Sequence, residues 1–406
     1  MRTVGIICEY NPFHTGHKRQ IDILRSMGYD CIICVMSGNF VQRGELAIFD
    51  KYTRAEAAIG GGADVVIELP FPFSSFSAEG FADAGVYILS SLGVDAISFG
   101  SESGDIAALE RSARAVLSSD FVSLYNELQR GGLGSAAAYF EAIRQISGED
   151  ASILSNDILG ISYVSAIKKL GATLDIIPIR REGTAYNDKT LQNGTLPSAS
   201  AIRESMVRSE DTIRHIFDGF VPDPAIPIFE NAVERGAAPV SLENIGAEIL
   251  SFFKLMTPNE ITARAVLRSG GGKHIAEDGC GILERICKIA ASARDLDEFF
   301  RGCYNSKYTN ARINRVILFS LLAVSDKLTT AHPEYVNLLA ASLTGRNFLS
   351  KARKSCEFPI ITKPADAPSF SLQRKISEAA DAFYSSAFPK NLGNDHFIKA
   401  RPFIQK

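Results

Sequence analysis

Val4-Gly5-Ile6-Ile7-Cys8-Glu9-Tyr10-Asn11-Pro12-Phe13-His14-Thr15-Gly16-His17 opens the chain and decides how the rest is read. The apolar run Thr3 to Cys8 has the character of a parallel strand buried on both faces, Asn11-Pro12 breaks it, and a helix begins near Thr15. Gly16 then lets a phosphate approach the open amides at the helix start. His14 and His17 stand three residues apart. On a helix's first turn that spacing puts both imidazoles on one face, where the helix dipole adds positive potential. Two imidazoles at a helix start can be plain surface groups, but directly after the first strand of an α/β unit they read as phosphate chemistry. No Cys or carboxylate at ligand spacing supports a metal there, so no metal site is expected.

Outward from this turn the pattern repeats. Cys31 to Met36 reads as a second buried strand ending in Ser37-Gly38-Asn39, Asp50 to Gly60 as a helix carrying Lys51 and Arg54, and Asp64 to Pro70 as a third strand. Ala78 to Leu92 reads as a helix and Val94 to Phe99 as a fourth strand ending in the small-residue run Gly100 to Asp105. A helical insertion from Asp105 to Ser147 precedes the helix Asn156 to Leu170 and a fifth strand, Thr173 to Ile179, with Arg180-Arg181 at its ligand edge. Strand and helix in alternation give a five-stranded parallel Rossmann-like sheet, with ligands beyond its carboxyl ends. Farther on, Pro197 to Arg203 starts a helix with hydroxyls at its amino end and a guanidinium one turn on.

Prolines 222, 224, 227 and 239 mark a change of composition between Phe217 and Glu243, and the remainder reads as helical. Ala247 to Leu255, Pro258 to Leu267, Ile282 to Ala290, Leu296 to Arg301, Asn310 to Ala323 and Pro333 to Leu343 show helical spacing or capping. This part holds two locally basic stretches without an acid, Arg301 to Arg315 and Arg346 to Lys354. Tyr304 and Tyr308 interleave the first, a mixture that suits RNA backbone and unstacked bases as well as a plain solvated face.

Composition bounds the rest. Of 406 residues, 46% are apolar and 22% charged, enough to bury a sizeable core. A net charge of −3 rules out a generally basic surface, so a nucleic acid would be held by local patches. The seven scattered cysteines, and a start without a secretory pattern, fit a reducing cytoplasm. Cys31 and Cys34 lie in one apolar run whose alternation sends them to different faces, as core residues. No apolar run is long enough for a membrane span.

Glu9 to His17 resembles the signature of bacterial tRNA(Met) cytidine acetate ligases, a family of the nucleotidylyltransferase superfamily, and the likeness runs nearly the whole chain. It is supported by Ser37 to Gly44, Asp64 to Pro70, Asn156 to Gly160, Ser198 to Arg203, Lys307-Tyr308-Thr309 and Ala311-Arg312-Ile313. Thr15 and Asn187 depart from the pattern, standing where relatives often carry Asn and His.

The resemblance implies a catalytic nucleotidylyltransferase-like domain over residues 1–218 and a mainly helical tRNA-binding domain over 219–406. It implies ATP-dependent acetylation, from acetate, of the exocyclic amine of the wobble cytidine of elongator tRNA(Met). The implied ATP site takes Ile7, Cys8, Glu9, Tyr10, Asn11, Pro12, Phe13, His14, Thr15, Gly16, His17, Lys18, Arg19 and Gln20, with Gly100, Asn156 and Arg181. His14 and His17 bond the phosphates and Arg203 helps clamp them, while Lys307, Arg312 and Arg315 are expected at the tRNA. Mg²⁺ is compatible with such a site through water and substrate, and nothing calls for an obligate protein partner. Two other readings stay open: a nucleotidylyltransferase acting on a small phosphorylated metabolite, and a non-catalytic nucleotide-sensing RNA-binding protein.

Overall fold

The protein is described from a computed structural model covering residues 1–148, 157–180, 198–209, 211–265, 280–305, 308–393 and 395–405. The first half alternates as expected: β1 (Thr3–Cys8), α1 (Thr15–Ser26), β2 (Cys31–Ser37), α2 (Lys51–Gly60), β3 (Val65–Leu69), α3 (Ala78–Ser91) and β4 (Ala96–Ser101). The insertion is three helices, α4 (Ile106–Val116), α5 (Phe121–Arg130) and α6 (Ser135–Ser147), followed by α7 (Asp157–Leu170), β5 (Asp175–Arg180) and α8 (Ala199–Arg208). Then come α9 (Ile213–Phe217), α10 (Ile226–Glu234), α11 (Gly246–Leu255), α12 (Pro258–Arg264), α13 (Cys280–Ser292), α14 (Leu296–Cys303), α15 (Asn310–Leu322) and α16 (Asp326–Thr329). The chain closes with β6 (Val336–Ala341), α17 (Leu343–Ala352), β7 (Ile360–Ile361), α18 (Leu372–Ser386), α19 (Asp395–Ile398) and β8 (Phe403–Ile404).

The strands lie in the order β5-β4-β1-β2-β3-β6-β7, with β8 also paired to β6. The five expected strands are mutually parallel. The chain runs outward from β1 through β2 to β3, then returns to place β4 on the other side of β1. That reversal leaves a crevice at the carboxyl ends of β1 and β4, where an α/β sheet takes its ligand.

One expected helix is a strand. Pro333 to Leu343 is rich in Leu and Ala and reads as helical, yet Val336–Ala341 forms β6, antiparallel to β3. Five of its six residues are buried, so the sheet edge it covers outweighs a weak local preference. The second half of the chain thereby extends the sheet of the first. Pro258 to Leu267 is helical to Arg264, and its last two residues lie outside the described set.

Alternation along the strands divides the core. Val4, Ile6, Ile32, Cys34 and Met36 pack with α2 residues on one face, while Ile7, Cys31, Ile33 and Val35 pack with α3 and α7 residues on the other. Cys31 and Cys34 thus face opposite sides, as their alternation requires, and both are free and buried. Gly5 lets α3 lie close, since a Cβ there would stand 2.4 Å from a Leu89 methyl.

Beneath the carboxyl edge, the fully buried Arg54 of α2 donates Nε to the Phe49 carbonyl at 2.9 Å and Nη1 to the Glu9 carbonyl at 2.5 Å. Its Nη2 serves the carbonyls of Ser37, at 3.1 Å, and Gly38. Replacing it leaves four carbonyls short of donors, each costing about 1–3 kcal/mol if buried unsatisfied. Arg54→Met is therefore expected to lower the unfolding free energy by roughly 3 kcal/mol or more in urea titrations; an unchanged midpoint would contradict this role.

Candidate nucleotide site

The turn after β1 is fixed from below. Tyr10 takes a left-handed backbone, φ 47°, and its buried ring brings the hydroxyl to 3.5 Å from the Cys34 sulfur. The Asn11 side chain accepts the Ile48 amide at 2.8 Å, and the Asn11–Pro12 peptide is cis. Phe13 is fully buried and meets Tyr10 edge-on at 5.0 Å. The two rings form a floor for His17, whose centroid lies 4.7 Å from Tyr10 and 5.8 Å from Phe13.

His14 caps α1. Its Nδ1 accepts the Gly16 amide at 3.0 Å, and the Nδ1 of His17 accepts the His14 amide at 3.3 Å. The two rings stack at 3.7 Å. Because each Nδ1 accepts a backbone N–H, a neutral ring carries its proton on Nε2, so each histidine is a donor through Nε2. His14 is buried, 8% exposed, and His17 half-buried.

The amides at the helix start are not open to a phosphate, contrary to the sequence reading. Thr15 N donates to the Phe220 carbonyl at 2.9 Å, Gly16 N to the His14 ring, and His17 N to the His14 carbonyl at 2.9 Å. Gly16 is needed for a different reason: a Cβ there would stand 2.8 Å from Cε1 of His14. The glycine makes room for an imidazole.

The other sequence-derived residues distribute as follows. Ile7 is buried beneath the turn, and Cys8 lies at the end of β1 with its thiol pKa pushed up, first by burial. Lys18 pairs with Asp22 on α1, Arg19 is half-buried, and Gln20 donates to the Ser98 hydroxyl of β4 at 3.2 Å. Gly100 sits near the carboxyl end of β4, beside β5. Next to it, buried Asp157 accepts the Ser101 hydroxyl at 2.6 Å and the Glu102 amide at 3.1 Å, which anchors the loop after β4. Asn156 and Arg181 lie outside the described residues, as do Asn187 and Lys307.

Arg203 is brought to the turn. Its Nη1 donates to the Asn11 carbonyl at 2.7 Å and Nη2 to the Ser200 hydroxyl at 3.3 Å, while Ser198 accepts the Ala201 amide at 3.1 Å. The hydroxyls at this helix start are thus spent on the cap and on the arginine. Arg203 and Glu45 line a cleft of about 710 Å³ between the loop after β2 and the start of α14.

Sequence reasoning gave no role to the polar cluster behind the site. Lys51 Nζ, buried, contacts Glu68 at 2.9 Å and Asp381 of α18 at 2.8 Å. Asn39 donates to Asp381 at 2.8 Å and accepts the Lys51 amide at 2.9 Å, and Asn337 of β6 donates to Glu68 at 2.6 Å. Burial raises the Asp381 carboxyl to about 6, against the opposing pull of Lys51. A signal existed: two cations, Lys51 and Arg54, occupy the first turn of a helix, where the dipole disfavours them unless specific acceptors hold them.

The basic stretches behave unlike one another. Arg301 is exposed and pairs with Asp297 at 2.6 Å on its own helix. Arg312 is half-buried, its guanidinium 5.1 Å from the Tyr308 ring centroid. Arg315 is 7% exposed and its Nη1 lies 3.4 Å from the Gln42 carbonyl, so it supports the loop after β2 rather than an open surface. Arg346, Lys351, Arg353 and Lys354 are exposed on and just after α17.

Residues 1–396 match the family model described as HIGH Nucleotidyl Transferase. The chain is 36% identical over 373 residues to the tRNA(Met) cytidine acetate ligase of Syntrophotalea carbinolica, covering 89% of this chain and 85% of that protein. It is 35% identical over 375 residues to the ligase of the same name from Caldanaerobacter subterraneus, covering 90% of this chain and 89% of that protein. The crystal structure of Thermotoga maritima TmcAL in its apo form superposes with a TM-score of 0.88 at 30% identity, covering 100% of this chain and 99% of that one. The same protein bound with alpha-thio ATP gives 0.84 at 29% identity, with the same coverage.

A Cβ at Gly16 would press on the His14 ring, so Gly16→Ala is expected to shift that ring without unfolding the chain. Affinity for ATP, read by calorimetry, is expected to fall roughly tenfold, the scale of one hydrogen bond to a charged group. Unchanged affinity would contradict the assignment.

Proposed function

The chain belongs to the HIGH nucleotidyl transferase family and, within it, to the tRNA(Met) cytidine acetate ligases, and on that premise we propose the chemistry its site performs. The enzyme uses ATP to activate acetate as acetyl-adenylate and transfers the acetyl group to the exocyclic N4 amine of the wobble cytidine of elongator tRNA(Met). The observation that carries this reading is the stacked pair His14 and His17, each with Nδ1 bonded to the backbone and Nε2 as donor.

ATP binds at the carboxyl ends of β1 and β4, its phosphates over the start of α1. Acetate attacks the α-phosphorus as an anion, and the bond to the β-phosphate oxygen breaks. His14 and His17 donate through Nε2 to the phosphates as charge moves onto pyrophosphate, with the dipole of α1 adding positive potential. Arg203, tied to the Asn11 carbonyl, adds a fixed cation beside the same turn. The cytidine amine then attacks the acetyl carbonyl and AMP leaves. No enzyme nucleophile is needed, so positioning and charge stabilisation supply the rate.

Residues 219–406 serve the tRNA in this reading, with Lys307 and Arg312 as contacts to its backbone. Arg315 acts one step removed, through the loop that carries Gln42. Among the described residues no helix is long and apolar enough to cross a membrane.

Pyrophosphate release from ATP, with and without acetate and tRNA(Met), followed by nucleoside analysis of the tRNA, tests the reading. Acetate-dependent release with N4-acetylcytidine in the tRNA is expected, and His14→Ala or His17→Ala should remain folded yet lose about 10²-fold or more in rate. Release indifferent to acetate and tRNA would instead point to nucleotidyl transfer onto another acceptor.

A further inference from the structure

Glu9 is the one carboxylate between Val4 and His17, in a turn built to receive a polyanion. A negative charge there opposes phosphate binding unless it has work of its own. Its Oε1 accepts the Gln42 amide at 3.0 Å, and Oε2 receives no hydrogen bond from the described residues. The groups facing it are Arg203 of α8, Arg43 and Glu45 of the loop after β2, Arg54 of α2 and Tyr163 of α7. Burial raises its pKa above the ordinary carboxylate value, with the Gln42 amide and Arg203 opposing. Arg203 and Glu45 also line the cleft of about 710 Å³, whose walls include Leu46, Leu242, Leu250 and Phe300. Glu9 does not line that cleft itself, but it stands in the nucleotide turn within electrostatic reach of Arg203 and Glu45, which do.

The two half-reactions differ in what they need. Acetate attacks phosphorus already deprotonated, so the first step has no proton to place. The N4 amine of cytidine carries two protons, and one must leave as nitrogen bonds to carbon. We propose that Glu9 is the general base of the transfer step, its Oε2 taking that proton as the amine attacks the acetyl carbonyl. The N–C bond forms, the bond between the acetyl carbon and the AMP oxygen breaks, AMP departs with the electron pair, and the proton passes from Glu9 to water. The role rests on the ligase reading above. A carboxyl whose pKa burial raises is a stronger base than an ordinary one.

Glu9→Gln keeps an oxygen for the Gln42 amide and cannot take the proton. In the full-length protein, acetate-dependent ATP–pyrophosphate exchange reads the first step, and single-turnover transfer from preformed acetyl-adenylate to tRNA(Met) reads the second. Transfer is expected to fall by about 10²-fold or more relative to any change in exchange. The wild-type transfer rate should rise with pH through the Glu9 titration, because only the ionised carboxyl accepts a proton, and the variant should lose that rise. Transfer at the wild-type rate, or an equal loss in both steps, would overturn the role while leaving the ligase reading intact. Wild-type protein without acetate-dependent exchange would overturn that reading and the role with it.

Discussion

Arg54 reaches from α2 under the ends of β1 and β2, where its guanidinium donates to the carbonyls of Phe49, Glu9, Ser37 and Gly38. An arginine cannot shed its charge to escape burial, so the loops must present their carbonyls inward to satisfy it. Holding the Glu9 carbonyl fixes where β1 ends, and Tyr10 then turns through a left-handed backbone into the Asn11 bend. Everything that follows, including the histidine cap of α1, inherits its position from that anchor. Lys51, one turn before Arg54, binds Glu68 and Asp381, fastening α18 from the far end of the chain to the same edge.

The histidine pair divides its labour between its two nitrogens. Nδ1 of each ring is used in folding, as acceptor to the amides of Gly16 and His14, which fixes ring orientation before any ligand arrives. In the proposed function Nε2 of each neutral ring, which carries the proton, is the group that donates to phosphate. Preorganisation of this kind favours the charge that develops on pyrophosphate, because little reorganisation is needed at the moment of transfer. The backbone amides that would otherwise bind phosphate are already spent on Phe220 and His14. In the proposed function the site therefore relies on side-chain donors, one of which the glycine admits.

Much of this was legible in the sequence where periodicity and punctuation speak locally. The five parallel strands, the helix start at Thr15 and the split of Cys31 and Cys34 between faces all follow from alternation and turn residues. At Gly16 the sequence signals a close approach, but nothing local says that the His14 ring folds back over it. Val336–Ala341 reads as helix because Leu and Ala dominate it, and only the presence of β3 makes it a strand. Arg315 reads as a tRNA contact from its basic stretch alone, because its neighbour Gln42 is 273 positions away. Asn39, Lys51, Glu68, Asn337 and Asp381 come together from five places in the chain, which no window of sequence contains.

The most direct test of this account is a crystal structure of the protein with an unreactive ATP analogue. Nε2 of both His14 and His17 should lie about 3 Å from phosphate oxygens, with the Gly16 amide still on Nδ1 of His14. Phosphates seated on the amides of Thr15, Gly16 and His17, with the rings turned away, would contradict it.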